Sequence, residues 1–279
     1  MAPEPGEVVA DVTVGLGGHA RLLAELIGPE GVLIGLDVDR ANLEIAARQL
    51  ADAPCKVVLE CESFINFDAV LDAAGIERVD VLLADLGVSS TQLSDPMRGF
   101  SFQHEGPLDM RMDARLETRA VDLVNALREN DLSDLIFHNS QERFSRRIAK
   151  RICQARREGR ITTTTQLADI VCKAVRVDPA SRKSKIHPAT RVFQALRMAV
   201  NDELGALSTL LEKAPDRLNP GGRFGVVAFH SLEDGLVKRD FRKRKKEGLY
   251  EIMTKRPVVA DPQERQANPR SRSAKLRVA

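Results

Sequence analysis

Over the first hundred residues, short apolar runs alternate with stretches of helical period. Residues 7–14 read as a strand that enters a glycine turn, Gly15-Leu-Gly-Gly18, and a helix begins near His19. Leu22, Leu23, Leu26 and Ile27 form the expected inward stripe of that helix. Residues 31–37 read as a second buried parallel strand, and Asp39 is placed to cap a helix over 40–50 with Leu43, Ala46, Ala47 and Leu50 inward. Residues 55–61 read as a third strand, followed by Ser63-Phe64, and 79–86 as a fourth that runs out into 87–92. Repetition of strand then helix predicts an α/β, Rossmann-like fold with a doubly wound, mostly parallel sheet, which binds ligands at the carboxyl ends of its strands. Asp11, Asp37, Phe64 and Asp85 all fall on that rim.

From about Gly99 the strands stop. The pattern becomes helices and loops, which predicts a helical domain over 99–185 inserted between two pieces, 1–98 and 186–279, of the sheet domain. Asn139-x-x-Glu142 has the spacing of a capping box, and the helix it opens carries Phe144, Ile148, Ile152 and Ala155 on one face. Thr163-x-x-Gln166 opens another, with Leu167, Ile170, Val171 and Ala174 inward. His187-Pro188 restarts the α/β pattern with a helix over 189–203. The turn Asn219-Pro-Gly-Gly222 leads into a fifth buried strand, 223–230, which ends at His230 and so adds it to the rim. Residues 249–260 and 273–278 are candidate edge strands, and 268–273 reads as a turn bearing cations.

A chain of 279 residues allows one or two domains with an ample core. No apolar run approaches the ~18 residues of a membrane span, and the start lacks the pattern of a signal peptide, so the expected location is cytoplasmic. Cys55, Cys61, Cys153 and Cys172 show no metal-ligand spacing and are expected as reduced thiols, with no metal site. The net charge of +2 conceals an asymmetry: from Gly235 onward 14 Lys/Arg stand against 5 Asp/Glu. A second basic cluster, Arg143, Arg146, Arg147, Lys150, Arg151, Arg156 and Arg157, has no acid within it. Both point to a polyanionic partner, and the arginine face to a nucleic-acid surface.

Glycines in the turn tolerate unusual φ angles and let a ligand approach the backbone, while the helix start offers unpaired N–H groups. Asp37, about 20 residues past the loop, sits where a ribose hydroxyl pair would be held. This is a nucleotide-type cofactor site. Gly15-x-Gly17-x-x-Ala20 also satisfies the dinucleotide fingerprint, so a nicotinamide-dependent oxidoreductase remains an alternative. Asp11 favours S-adenosyl-L-methionine, whose ammonium and sulfonium are cationic. A non-catalytic ribosome-assembly RNA-binding protein is the reading from a different class.

Several ordered blocks then carry a resemblance. These are Gly15-Leu-Gly-Gly-His19, Asp85-Leu-Gly-Val-Ser-Ser90 with Gln92, Arg98-Gly-Phe-Ser-Phe102 and Gly106-Pro-Leu-Asp-Met-Arg-Met-Asp113. Further on come Glu142-Arg-Phe-Ser-Arg-Arg-Ile148, His187-Pro-Ala-Thr-Arg191 with Phe193-Gln-Ala-Leu-Arg197, Phe229-His-Ser-Leu-Glu-Asp234 and Asn268-Pro-Arg-Ser-Arg-Ser273. Together they resemble the bacterial ribosomal RNA small-subunit methyltransferase H family (MraW type) over nearly the whole chain. The resemblance implies a class I methyltransferase fold with an inserted helical domain. It implies S-adenosylmethionine-dependent methylation of the N4 amine of a cytidine in the decoding region of 16S rRNA, with 16S rRNA or the small subunit as partner and a monomer or homodimer left open. By the same resemblance Gly17, Gly18 and His19 line the cofactor's amino-acid end, Asp37 holds the ribose, Phe64 packs by the adenine, and Asp85 and Gln92 complete the pocket. For the amine, Asp85 or a nearby carbonyl is the candidate acceptor, with Ser89 and His230 secondary. RNA contacts are expected from Arg143, Arg146, Arg147, Lys150 and Arg151. Members usually begin with an additional segment ahead of the first strand, where this chain has residues 1–6, and Val12 and Leu16 stand where small or different residues are common. Both departures bear on full activity.

Overall fold

The computed structural model describes residues 1–175 and 187–279. Contacts divide the chain into two compact units, Met1–Ser89 with Leu204–Ala279, and Ser90–Glu203.

The first unit holds six strands: β1 (Val8–Asp11), β2 (Val32–Leu36), β3 (Lys56–Glu60), β4 (Val79–Asp85), β5 (Leu218–Ala228) and β6 (Lys275–Val278). Their order is β3-β2-β1-β4-β5-β6, parallel except for β6, which runs antiparallel to β5. Alternate residues serve opposite faces. Val9, Leu33, Val81 and Leu83 pack against α1 (Gly18–Ile27) and α2 (Arg40–Gln49). Ala10, Ile34, Leu82 and Phe224 pack on the other face against α3 (Phe67–Ala73), α10 (Glu203–Lys213) and α11 (Ser231–Lys246). Strands covered on both faces read as near-continuous apolar runs, which is why the sequence announces them. The chain winds outward from β1 in both directions, so the switch in strand order falls between β1 and β4, and their carboxyl ends, Asp11 and Asp85, flank it.

Several expectations shift in this unit. The buried stripe of α1 is Ala20, Leu23, Ala24 and Ile27, leaving Leu22 and Leu26 in solvent. In α2 the capping by Asp39 is present, its carboxylate accepting from the Ala41 N–H, but Ala47 is exposed and Asn42 is buried instead. Asn219-Pro-Gly-Gly222 lies inside β5 as a bulge, with Leu218 opposite Val79 and Arg223 opposite Val81. Over 249–260 pairing reduces to one isolated bridge, Val258 to Leu276, beside Pro257, which has no N–H to donate. The basic run 242–246 lies within helix α11, not in an extended tail. Residues 269–273 form a short 3₁₀ helix capped by Asn268.

The second unit contains α4 (Ser90–Ser94), α5 (Ala120–Ala126), α6 (Glu129–Ser140), α7 (Ser145–Glu158), α8 (Thr164–Val175) and α9 (Ala189–Val200). A last short helix, α12 (Pro262–Ala267), belongs to the first unit. Ile136, Ile148, Ile152, Leu167, Val171, Val192 and Leu196 are buried in the helical unit. Helix α9, expected with the sheet, falls inside this unit because it packs against α6. It ends at Val200: Asn201 turns its side chain to Met110 O (2.8 Å) and Met112 N–H (2.7 Å). Asn139 does not cap a helix; it sits in α6, donating to Ala195 O at 3.1 Å, and Gln141 in a left-handed conformation ends that helix. Glu142 instead accepts from the Phe144 N–H at 2.9 Å ahead of α7. The box at Thr163 and Gln166 forms, with Gln166 N–H on Thr163 Oγ1 and Gln166 Oε1 on Thr163 N–H, both at 3.3 Å. Residue 186, the expected domain boundary, lies outside the described residues. No helix among the described residues is long and apolar enough to cross a membrane, and the four cysteines are free thiols.

Candidate functional site

The site is built at the carboxyl ends of β1, β2 and β4. Asp11 ends β1 and is 1% exposed. Its Oδ1 accepts from the Thr13 N–H at 3.2 Å and from the Thr13 hydroxyl at 3.5 Å. That hydroxyl in turn accepts from the Asp85 N–H at 2.6 Å, tying the ends of β1 and β4 across the switch point. Thr13 was not singled out from sequence; its signal is the Asp-x-Thr spacing, which lets a carboxylate reach the N–H two residues on.

The glycine elbow follows. Gly17 has φ +92, and a Cβ there would lie 3.2 Å from Ala46 Cα, so the turn demands glycine twice over. A Cβ on Gly18 would meet nothing within 4 Å, leaving that backbone open to a ligand. Asp37, just past β2, closes the elbow: its Oδ2 accepts from the Gly15 N–H at 3.0 Å and its Oδ1 from the Asp39 N–H at 2.7 Å. Asn42, buried on α2, donates to Asp37 Oδ2 at 3.4 Å and accepts from the Ser89 hydroxyl at 3.2 Å. Asn42 is a second residue the sequence did not expose as functional. Phe64 stands half-buried in a short 3₁₀ turn after β3, next to the core under the rim.

Charge is concentrated here. Burial pushes the Asp11 carboxyl up to about 7, against the opposing pull of its Thr13 bond and of His19. Burial also raises Asp37, although its bonds from Asp39, Asn42 and Gly15 work the other way. His19 is raised chiefly by its hydrogen bond to Asp85, with Nε2 3.4 Å from Oδ2. The second oxygen of Asp85, Oδ1, is buried and has no partner. An acidic, partly desolvated crevice with an orphaned carboxylate oxygen suits a ligand that carries positive charge and donates hydrogen bonds. A pyrophosphate would meet repulsion.

His230 ends β5 and caps α11: its Nδ1 accepts from the Glu233 N–H at 3.4 Å, and Glu233 Oε1 lies 3.0 Å from its Nε2. Glu233, 2% exposed, also accepts from the Phe229 N–H at 2.9 Å. The pattern His-x-x-Glu is a capping box whose first member is a histidine, a signal that spacing alone could have given. Gln92 is buried in α4 of the helical unit.

On α7, Arg143, Arg146, Arg147, Lys150 and Arg151 are all exposed. Arg143 and Arg147 lie over the Phe144 ring at 4.8 and 5.5 Å. Two basic side chains serve the fold: Arg147 donates to Ala174 O at the end of α8, and Arg156 to Val124 O at 2.8 Å.

Comparison with known proteins agrees with this geometry. A family model described as the MraW methylase family matches residues 1–279. The Ribosomal RNA small subunit methyltransferase H of Acidobacterium capsulatum is 45% identical, with 98% of this chain and 92% of that protein covered. The protein of the same name from Syntrophotalea carbinolica is 46% identical, covering 99% and 92%. Among solved structures, Aeropyrum pernix fibrillarin with natively bound S-adenosyl-L-methionine is 13% identical with a TM-score of 0.43, covering 100% of this chain and 68% of that one. With a matching family model over its whole length and relatives near 45% identity, the chain belongs to the MraW methylase family.

Proposed function

We propose that this chain methylates small-subunit ribosomal RNA with S-adenosyl-L-methionine, at the N4 amine of a cytidine in the decoding region of 16S rRNA. Family membership supports a methylase rather than a nicotinamide-dependent oxidoreductase, and the relatives' names support the RNA. The observation that carries the choice of an amine is the unpartnered Oδ1 of Asp85 at the switch point.

The residues fit the cofactor by charge and by space: the carboxylates suit its cationic groups, and the open backbone at Gly18 admits it. When bound, it supplies an electrophilic methyl on a positively charged sulfur. Gly17, Gly18 and His19 line its amino-acid end, Asp37 accepts from the ribose hydroxyls, and Phe64 packs by the adenine. Asp85 and Gln92 complete the pocket. An exocyclic amine of cytosine is a poor nucleophile because its lone pair is delocalised into the ring. The protein must align it and accept a hydrogen bond as it pyramidalises. Alignment supplies up to ~7–11 kcal/mol in favourable cases, and an acceptor placed where positive charge develops adds to it. Asp85 takes that role. Ser89 and His230 are secondary, since their side chains are engaged with Asn42 and Glu233.

Reaching the rim requires the base to leave its stack, at a cost of a few kcal/mol. Arg143, Arg146, Lys150 and Arg151 bind phosphates from the exposed face of α7, with Arg147 anchored beside them. Tritiated methyl transfer into small subunits lacking the modification, followed by mapping of the base, tests the reading. Label on a cytidine N4 is expected; label on another atom, or none, refutes it.

A further inference from the structure

The two oxygens of Asp85 face different situations. Oδ2 lies 3.4 Å from His19 Nε2, whereas Oδ1 is buried without a partner. The backbone of Asp85 is fixed separately, through its N–H to the Thr13 hydroxyl at 2.6 Å. The main chain therefore does not need His19, but the rotation of the carboxyl group does. His19 occupies the second position of α1, directly after the glycine elbow, and its side chain is 58% exposed against 29% for Asp85. An Nε2–H donor is available in the neutral Nε2–H tautomer and in the imidazolium alike, so the contact survives a change in protonation. A carboxylate held by one oxygen presents the other in a fixed direction.

We infer that His19 is a positioning residue for methyl transfer: its Nε2–H holds Asp85 Oδ2 and thereby aims Oδ1 at the amine hydrogen of the target base. The inference rests on the reading of the site given above. In the step it serves, the N–C bond forms as the S–C bond breaks and the electron pair stays on sulfur. The surplus amine proton leaves to Asp85 Oδ1 and on to water. His19 forms no bond to the reacting atoms, so its effect should fall on the rate of the chemical step.

Single-turnover methyl transfer at saturating cofactor, paired with calorimetric titration of S-adenosylmethionine, separates the possibilities. In His19→Leu the rate constant is expected to fall about 10–100-fold, the scale of a catalytic group misplaced by an ångström, with cofactor Kd changed by less than about threefold. His19→Gln, which keeps an N–H donor, should recover most of that loss. Adding His19→Leu to Asp85→Asn should cost less than about twofold further, because the two act as one unit. Full rate in His19→Leu, or a loss confined to cofactor Kd, overturns the inference and leaves the proposed function standing. Full rate in Asp85→Ala would instead remove the reading beneath it.

Discussion

The carboxylates on the sheet rim and the arginines on α7 are both charge clusters, yet they are built in opposite ways. Asp11 and Asp37 are held by short bonds from backbone N–H groups and sit largely out of water. The arginines stand in solvent, and Arg147 alone of the five exposed α7 cations assigned to RNA is tied to the backbone of a neighbouring helix. A buried charge needs an assigned partner, so its geometry is determined and its ligand can be argued from chemistry. An exposed charge is screened beyond about 10 Å at 0.1 M salt and constrains its partner only by sign. The rim therefore specifies a reaction, and the helix face only a polyanion.

The sharpest way to break that contrast is Asp85→Ala. Loss of one preorganised electrostatic partner in other enzymes costs about 10²–10³ in kcat, and a fall of that size in single-turnover methyl transfer is expected here, with RNA affinity unchanged. Next, Gly17→Ala forces a side chain into φ +92 against Ala46 and should lower folding stability by about 1–3 kcal/mol, read from chemical denaturation. An unchanged midpoint would mean the elbow rearranges freely.

The pH dependence comes third in size. A folded-state Asp11 at about 7 lies above the ordinary carboxylate range, so the cofactor-free fold binds this proton more tightly than the unfolded chain. The stability it contributes is present at acid pH and is lost as pH rises from about 4 to about 7; the raised His19 acts in the same direction through its own, higher window. A cationic ligand favours ionised Asp11, so cofactor affinity should rise about tenfold from pH 6 to pH 8, with proton release at pH 7. Flat affinity over that range would remove Asp11 from the cofactor's field.

The smallest effects divide the arginines. Arg146→Glu and Arg151→Glu should leave melting unchanged and each reduce the slope of log affinity for RNA against log salt by roughly one. Arg147→Ala should also lower the melting temperature, because Ala174 O loses its donor. Equal melting losses for all three would erase the distinction between anchoring and presenting arginines.

Strand positions were readable from sequence because burial on both faces leaves no polar phase to confuse them, and the four rim residues followed from strand ends. Helix phase was less so. In α1, Leu22-Leu23 with Leu26-Ile27 and Ala20 with Leu23, Ala24 and Ile27 are both stripes of helical period. The bulkier set wins on hydrophobicity, but small alanines win in the structure, where α1 leaves the glycine elbow close over the sheet. Asn139 misled for a related reason: capping residues also bond to carbonyls of neighbouring helices, and only packing of α6 on α9 decides which. Thr13 and Asn42 were missed because each acts through another side chain, Asp11 or Asp37, that carries the visible motif.

Calorimetric titration of S-adenosylmethionine into the wild-type protein and Asp37→Asn tests the cradle itself. The wild type should bind at one site, and the variant, with a charge-assisted acceptor lost, should bind about 10–100-fold more weakly. Equal affinity in the two proteins, or no binding to either, would contradict a cofactor held between the glycine elbow and the carboxylate that closes it.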